Sequence, residues 1–122
     1  MLKIPQIITS NLNPKIVDAV FRLLNEIKDS QIKDEKMCDF YVKLTDNDGR
    51  SKDFDKRTQG TIDLNDSYSQ LSLIQQRIVK RTFEIVIMEP DTYSIMDKYL
   101  YEMEMIISKE IKNINMNKGT IQ

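Results

Sequence analysis

The chain has 122 residues, about the length of one ordinary domain, and its 18 basic and 19 acidic side chains leave a net charge of −1. It contains no His and one Cys, which excludes His-based catalytic triads, zinc sites built from His and Cys, and intramolecular disulfides. Apolar residues make up 40% of the chain, a share that predicts a folded domain, and the near-neutral charge argues against a nucleic-acid coat. No apolar run approaches the roughly 20 residues that cross a bilayer. We therefore expect no enzyme activity, no cofactor or metal ion, no membrane and no sequence-specific nucleic acid.

The first residues of the chain are apolar without a sustained period. Ile4, Ile7 and Ile8 lie around Pro5. We expect an N-terminal arm over residues 1–12, either extended on a neighbouring molecule or forming a short edge strand, and the three isoleucines are candidate interface residues.

A helix start follows the arm. Asn13 is suited to the N-cap and Pro14 to the first helical position, where its missing N–H leaves no hydrogen bond unmade. Apolar residues then recur at intervals of three and four: Ile16, Val17, Val20, Phe21, Leu23, Leu24 and Ile27. This spacing predicts an amphipathic helix over residues 14–28.

The next segment alternates in polarity. Apolar Phe40, Val42 and Leu44 alternate with more polar neighbours, which predicts a half-exposed strand over 38–44. Cys38 is then a small apolar residue of this strand. The turn residues of 46–49 end it.

Residues 50–60 are polar and show no period. They predict a mobile or partner-ordered loop, or the return strand of a hairpin. Phe54 and Arg57 are its candidate interface residues.

Three predictions cover the middle of the chain. Residues 61–64 predict a short strand. Residues 67–81 are ambiguous, because some of their apolar positions fit a helix and others alternate as a strand does. Residues 82–88, Thr-Phe-Glu-Ile-Val-Ile-Met, are β-branched and nearly continuous in apolar character, which predicts a central buried strand.

A tight turn at 90–92 predicts the start of a second long helix directly after it. One stripe contains Met96, Tyr99, Leu100, Met103, Ile107, Ile111 and Ile114. A second apolar row, Ile95, Tyr101, Met105 and Ile106, lies off that stripe, and one buried face cannot hold both rows. We therefore expect a partner to cover the second row. Residues 113–122 lose the period and predict a C-terminal tail.

These elements predict one α+β domain over residues 1–122. Its small mixed or antiparallel sheet is packed by the N-terminal and C-terminal amphipathic helices.

Three features admit a chemical reading. The sequence 44–49 has the letters of a calcium loop, but Leu44 offers no ligand oxygen, so the pattern favours a turn. Arg77, Lys80 and Arg81 form a basic cluster that fits a phosphate or acidic-partner patch, although a solvated face is the preferred interpretation. A carboxylate-only metal enzyme ranks last, and loss of hydrolysis on changing Asp46 or Asp91 to Asn would support it.

The order of elements resembles that of the tail-terminator and tail-completion (neck) proteins of tailed bacteriophages. The resemblance is carried by the early helix 16–24, the polar loop 50–60, the strand 81–88 and the late helix 93–107. It implies a homo-oligomeric ring subunit that binds other virion proteins and is located in the virion. The alternative is a small phage or bacterial regulator or inhibitor that binds one host protein in the host cytoplasm.

Overall fold

The computed structural model describes the backbone of residues 4–47, 54–89 and 91–120, and the side chains of those residues except 54–58 and 110–120. The α-helices of these ranges are α1 Gln6–Thr9, α2 Pro14–Asn25, α3 Glu35–Asp46, α4 Phe54–Ser69, α5 Leu73–Met88 and α6 Met96–Thr120. No residue in these ranges forms a strand. The expected α+β class is therefore wrong, and the described chain is all-helical. None of the helices in these ranges combines the length and the apolar character that a membrane span requires.

The predicted N-terminal helix is confirmed as α2. The Asn13 side chain accepts a hydrogen bond from the Ile16 backbone N–H at 3.0 Å, so it caps the helix as expected, and Pro14 is the first helical residue. The helix ends at Asn25, three residues before the predicted end, because the backbone N–H of Glu26 bonds back to Leu23 and Leu24 and closes the last turn.

The strand predicted over 38–44 is wrong, because these residues belong to α3. Asp34 caps this helix by accepting a hydrogen bond from the Met37 backbone N–H at 2.9 Å. The buried residues of α3 are Met37, Phe40, Tyr41 and Leu44, which follow a helical period. Val42, which the alternation placed with the buried set, is exposed. The Asp34 cap and the helical spacing of the buried residues from Met37 onward favour a helix more strongly than the short alternation of polarity favours a strand.

The loop or strand predicted over 50–60 and the short strand over 61–64 are also wrong where they are described. Residues 54–60 and 61–64 are continuous parts of α4, whereas 50–53 lie outside the described residues. α4 packs extensively against α3, and the rings of Phe40 and Tyr68 lie 5.8 Å apart between their centroids.

α5 replaces the central strand predicted over 82–88 and settles the ambiguous segment 67–81 as mainly helical. Ser72 and Gln75 form a capping box, in which each side chain accepts a hydrogen bond from the other residue's backbone N–H. The buried apolar and threonine side chains along the helix are Ile78, Val79, Thr82, Phe83 and Val86. Their spacing is helical, and β-branched residues are tolerated because packing outweighs propensity.

α5 lies at the centre of the fold, since α1, α2 and α6 all pack against it. The N-terminal residues expected to form an extended arm belong to this arrangement. Ile4 and Ile8 are buried in the hydrophobic core, and the Ile4 backbone N–H donates to Asn65 Oδ1 at 2.9 Å. The described part of the arm is therefore a short helix packed on its own chain.

The second long helix is confirmed as α6, which begins at Met96 rather than directly after the predicted turn at 90–92 and continues to Thr120. The expected tail over 113–122 is therefore helical as far as Thr120, and residues 121 and 122 lie outside the described residues. Tyr99, Met103 and Ile107 are buried on the inner side of the helix.

Gln75 connects the start of α5 to the α2–α3 connection. Its Nε2 donates to the Ile32 carbonyl at 3.1 Å and to Asp34 Oδ1 at 2.8 Å, and its Oε1 accepts from the Ser72 backbone N–H at 2.9 Å. Asp34 also caps α3. One buried amide therefore holds the caps of two helices together.

Replacing Gln75 by Leu should lower the free energy of unfolding by about 2–4 kcal/mol, because the buried Ile32 carbonyl and the capping carboxylate of Asp34 lose their donor. Ser72→Ala is the matched variant: it removes the hydroxyl cap only and should cost about 1 kcal/mol. Urea unfolding followed by far-ultraviolet circular dichroism measures both. Equal losses in the two variants would contradict the role assigned to Gln75.

Candidate functional site

The outer side of α6 carries two exposed apolar side chains within residues 96–109, where the side chains of this helix are described. Tyr101 is 66% exposed and Met105 is 54% exposed, whereas the inner residues Tyr99 and Met103 are buried. Residues four apart are neighbours on one side of a helix, so the Tyr101 ring and the Met105 side chain form a continuous apolar surface. We call the exposed row Asp97, Tyr101, Met105 and Lys109 the outer row of α6.

A groove flanks α6 on each side. A groove of about 460 Å³ separates it from α5 and is lined by Arg77, Glu102, Met105, Ile106, Ser108 and Lys109. A groove of about 620 Å³ separates it from the residues that follow α2, and is lined on α6 by Leu100, Met103, Glu104, Ile107 and Ser108. The helix therefore stands out as a ridge, and its outer row is accessible to another molecule.

Charged residues surround the α5–α6 groove. Arg81 Nε donates to Glu102 Oε1, and this hydrogen bond raises the pKa of the Arg81 guanidinium. Both side chains are more than a third exposed, so the pair contributes at most about 1 kcal/mol. Arg77 lines the groove, and Lys80 is exposed. The basic cluster found in the sequence is thus divided between an ion pair, a groove wall and solvent.

A buried hydroxyl pair fixes the rotation of α6 about its own axis. Thr82 Oγ1 donates to the Ile78 carbonyl at 2.7 Å, which uses its only proton. The Tyr99 hydroxyl, 2.8 Å from Thr82 Oγ1, is therefore the donor between the two. Burial raises the pKa of Tyr99 well above its usual value, and it raises the pKa of Tyr68 to about 12. Because Tyr99 points at α5, Tyr101 points away from it.

The structure separates the candidate interface residues into three groups. Tyr101 and Met105 are exposed and adjacent, while Ile95 and Ile106 beside them are partly buried. Ile4 and Ile8 belong to the core of their own chain, and Ile7 packs against that core. The side chains of Phe54 and Arg57 lie outside the described residues.

Sequence reasoning missed several exposed apolar residues. Val42 on α3 is 56% exposed, and Leu73 and Met88 at the two ends of α5 are exposed as well. Tyr93 is also exposed, with the Arg22 guanidinium 4.9 Å from its ring centroid. Assigning 38–44 and 82–88 to helices would have placed Val42 and Met88 off the buried stripes, so the missing signal was the helical period itself.

The residues considered for chemistry do not converge in the described part of the chain. No group of three or more His, Cys, Asp or Glu side chains there could hold a metal ion. Asp46 is the last residue of α3, and Asp91 accepts a hydrogen bond from the Tyr93 backbone N–H at 3.2 Å in the turn before α6. Cys38 is exposed on α3, so its assignment to a strand is wrong.

No protein-family model, curated protein or solved structure matches this chain. The resemblance to phage neck proteins thus stays a hypothesis from the order of sequence elements, and the sheet that it implied is absent from the described residues.

The raised pKa of Tyr99 makes stability pH-dependent in the alkaline range. Below pH of about 10 the tyrosine is protonated in both states, so its contribution is constant. Above that pH the unfolded chain releases the proton first, and the free energy of unfolding should fall by up to about 1.4 kcal/mol per pH unit. The midpoint temperature of thermal unfolding should fall less steeply with rising pH in Tyr99→Phe than in the unmodified protein. Parallel pH profiles would show that the buried Tyr99 hydroxyl does not set the slope.

Proposed function

We propose that this chain is a non-enzymatic subunit of a larger assembly and that it acts by binding protein chains through the outer row of α6. The observation that carries the proposal is the exposure of Tyr101 and Met105 side by side on a helix whose inner side already completes the core. Covering this pair with protein removes apolar surface from water without displacing any contact of the folded chain.

The chemistry of the pair suits a protein interface. Tyrosine and methionine are enriched in interfaces, where tyrosine is often a dominant contributor to binding and methionine adapts to irregular partners. Complete burial of each side chain is worth about 1.5–3 kcal/mol before the entropy of association is subtracted. The grooves on both sides of α6 leave room for partner side chains to pack around the ridge.

The biological setting of this proposal is the neck of a tailed-bacteriophage virion. Its support is reduced to the early and late helices of the resemblance, because the strand 81–88 and the described part of the loop 50–60 belong to helices. In the neck proteins that it resembles, copies of one subunit form a ring and contact other virion proteins. The described residues offer no sheet edge for such contacts, so helix faces would build the assembly.

Introducing charge into the apolar pair should dissociate the assembly. We expect the unmodified protein to have a mass greater than a single chain in size-exclusion chromatography with light scattering, run under reducing conditions because Cys38 is exposed. The double variant Tyr101→Glu with Met105→Glu should shift to the mass of one chain, because burying two carboxylates is unfavourable.

Val42→Glu is the matched control for this experiment. Val42 is exposed to nearly the same extent as Met105 but lies on α3, so its replacement should leave the assembly mass unchanged. Circular dichroism checks that each variant is folded. A single-chain mass for the unmodified protein at its highest attainable concentration would contradict the proposal, and it would favour an inhibitor that docks on one host protein as a monomer.

A further inference from the structure

The outer row of α6 has opposite charges at its two ends. Asp97 lies in the first turn of the helix, Lys109 lies three steps of four residues later, and Tyr101 and Met105 lie between them. The rise of an α-helix places Asp97 and Lys109 about 18 Å apart along the axis. From its N-terminal to its C-terminal end, the row therefore consists of one acidic side chain, two apolar side chains and one basic side chain.

Both charged ends are available for pairing. Asp97 and Lys109 are exposed, and neither makes an ion pair or a hydrogen bond through its side chain with another residue of the part that the structure describes. Glu102, on the neighbouring row, is already paired with Arg81, which reduces the repulsion between two copies that approach along this face.

A row of this kind is complementary to itself when a second copy runs in the opposite direction. Rows of residues four apart lie alongside one another in the commonest class of helix packing, in which the axes cross at about −50°. With the rows antiparallel and centred between Tyr101 and Met105, each Tyr101 meets the Met105 of the other copy, and each Asp97 meets the other Lys109. Both kinds of contact then occur twice around a two-fold axis.

We propose that the molecule covering the outer row of α6 is a second copy of this chain, held in an antiparallel two-fold pair. This inference rests on the proposed function and names the partner for the same surface. Because a two-fold contact closes on itself, the face yields a dimer, and any larger ring would use the dimer as its repeating unit through another face.

Charge substitution at the two ends of the row tests the pair directly. In a homodimer of Asp97→Lys, each introduced lysine faces Lys109 of the other copy. In a homodimer of Lys109→Asp, each introduced aspartate faces Asp97 of the other copy. Each single variant therefore replaces two attractions by two repulsions, and we expect its dissociation constant to rise about tenfold or more at low ionic strength. The combined variant Asp97→Lys with Lys109→Asp restores both pairs and should dimerise like the unmodified protein.

Mixing the two single variants provides a control for folding defects. One variant then carries two lysines on the row and the other two aspartates, so both ion pairs of the heterodimer are attractive. Native mass spectrometry distinguishes the heterodimer from the homodimers by mass, and it should show the heterodimer in excess of the statistical half.

Each result has one meaning. Weaker dimerisation of each single variant, together with recovery of dimerisation when the two variants are mixed, would support the antiparallel pair. An assembly that is lost in the Tyr101→Glu and Met105→Glu variant but unaffected by all charge substitutions would overturn the antiparallel pair and leave the proposed function intact. A single-chain mass for the unmodified protein would overturn both.

Discussion

Burial of α5 on several sides positions the helices that surround it. α1, α2 and α6 are all placed by their contact with this helix, and Gln75 at its start also holds the connection between α2 and α3. Polar groups at the centre are satisfied locally: the capping box closes the first turn, and Thr82 bonds to the Ile78 carbonyl one turn before it. Because a helix satisfies its backbone hydrogen bonds internally, other helices can pack on any side of α5. The core therefore forms without a sheet.

The position of the candidate surface follows from that arrangement. Tyr99 reaches Thr82 on α5, which determines the side of α6 that faces the core. The same rotation places Tyr101 and Met105 outward, so the residues that build the core also determine which residues are left for a partner. The orientation of the helix is therefore set before binding, and the entropy cost of binding falls mainly on ordering the exposed Tyr101 and Met105 side chains.

The sequence predicted the helices whose start signals are local, and it failed where local period and propensity disagreed with packing. Asn13 and Pro14 mark α2 within the chain itself. Residues 82–88 have the composition of a buried strand, yet they form the last two turns of a helix whose N-cap is Ser72, ten residues earlier. The capping box lies in the segment that the sequence left ambiguous, so its recognition would have extended a helix through Phe83 and beyond.

The candidate surface was predictable only where helical spacing alone determines which residues are exposed. Tyr101 and Met105 lie off the buried stripe by helical spacing alone, and the structure leaves them exposed. Ile4 and Ile8 have an equally apolar character, but whether such a segment packs on its own chain or on a neighbour depends on contacts far away in sequence, such as the one with Asn65. No local pattern contains that information.

Methionine oxidation as a function of protein concentration shows whether another chain covers the outer row of α6. Met105 and Met88 are both exposed, the latter by 82%, and only Met105 lies on the outer row of α6. With dilute peroxide and peptide mass spectrometry, the oxidation rate of Met105 should fall as the protein is concentrated, while that of Met88 stays constant. A Met105 rate that does not change with concentration would contradict the account.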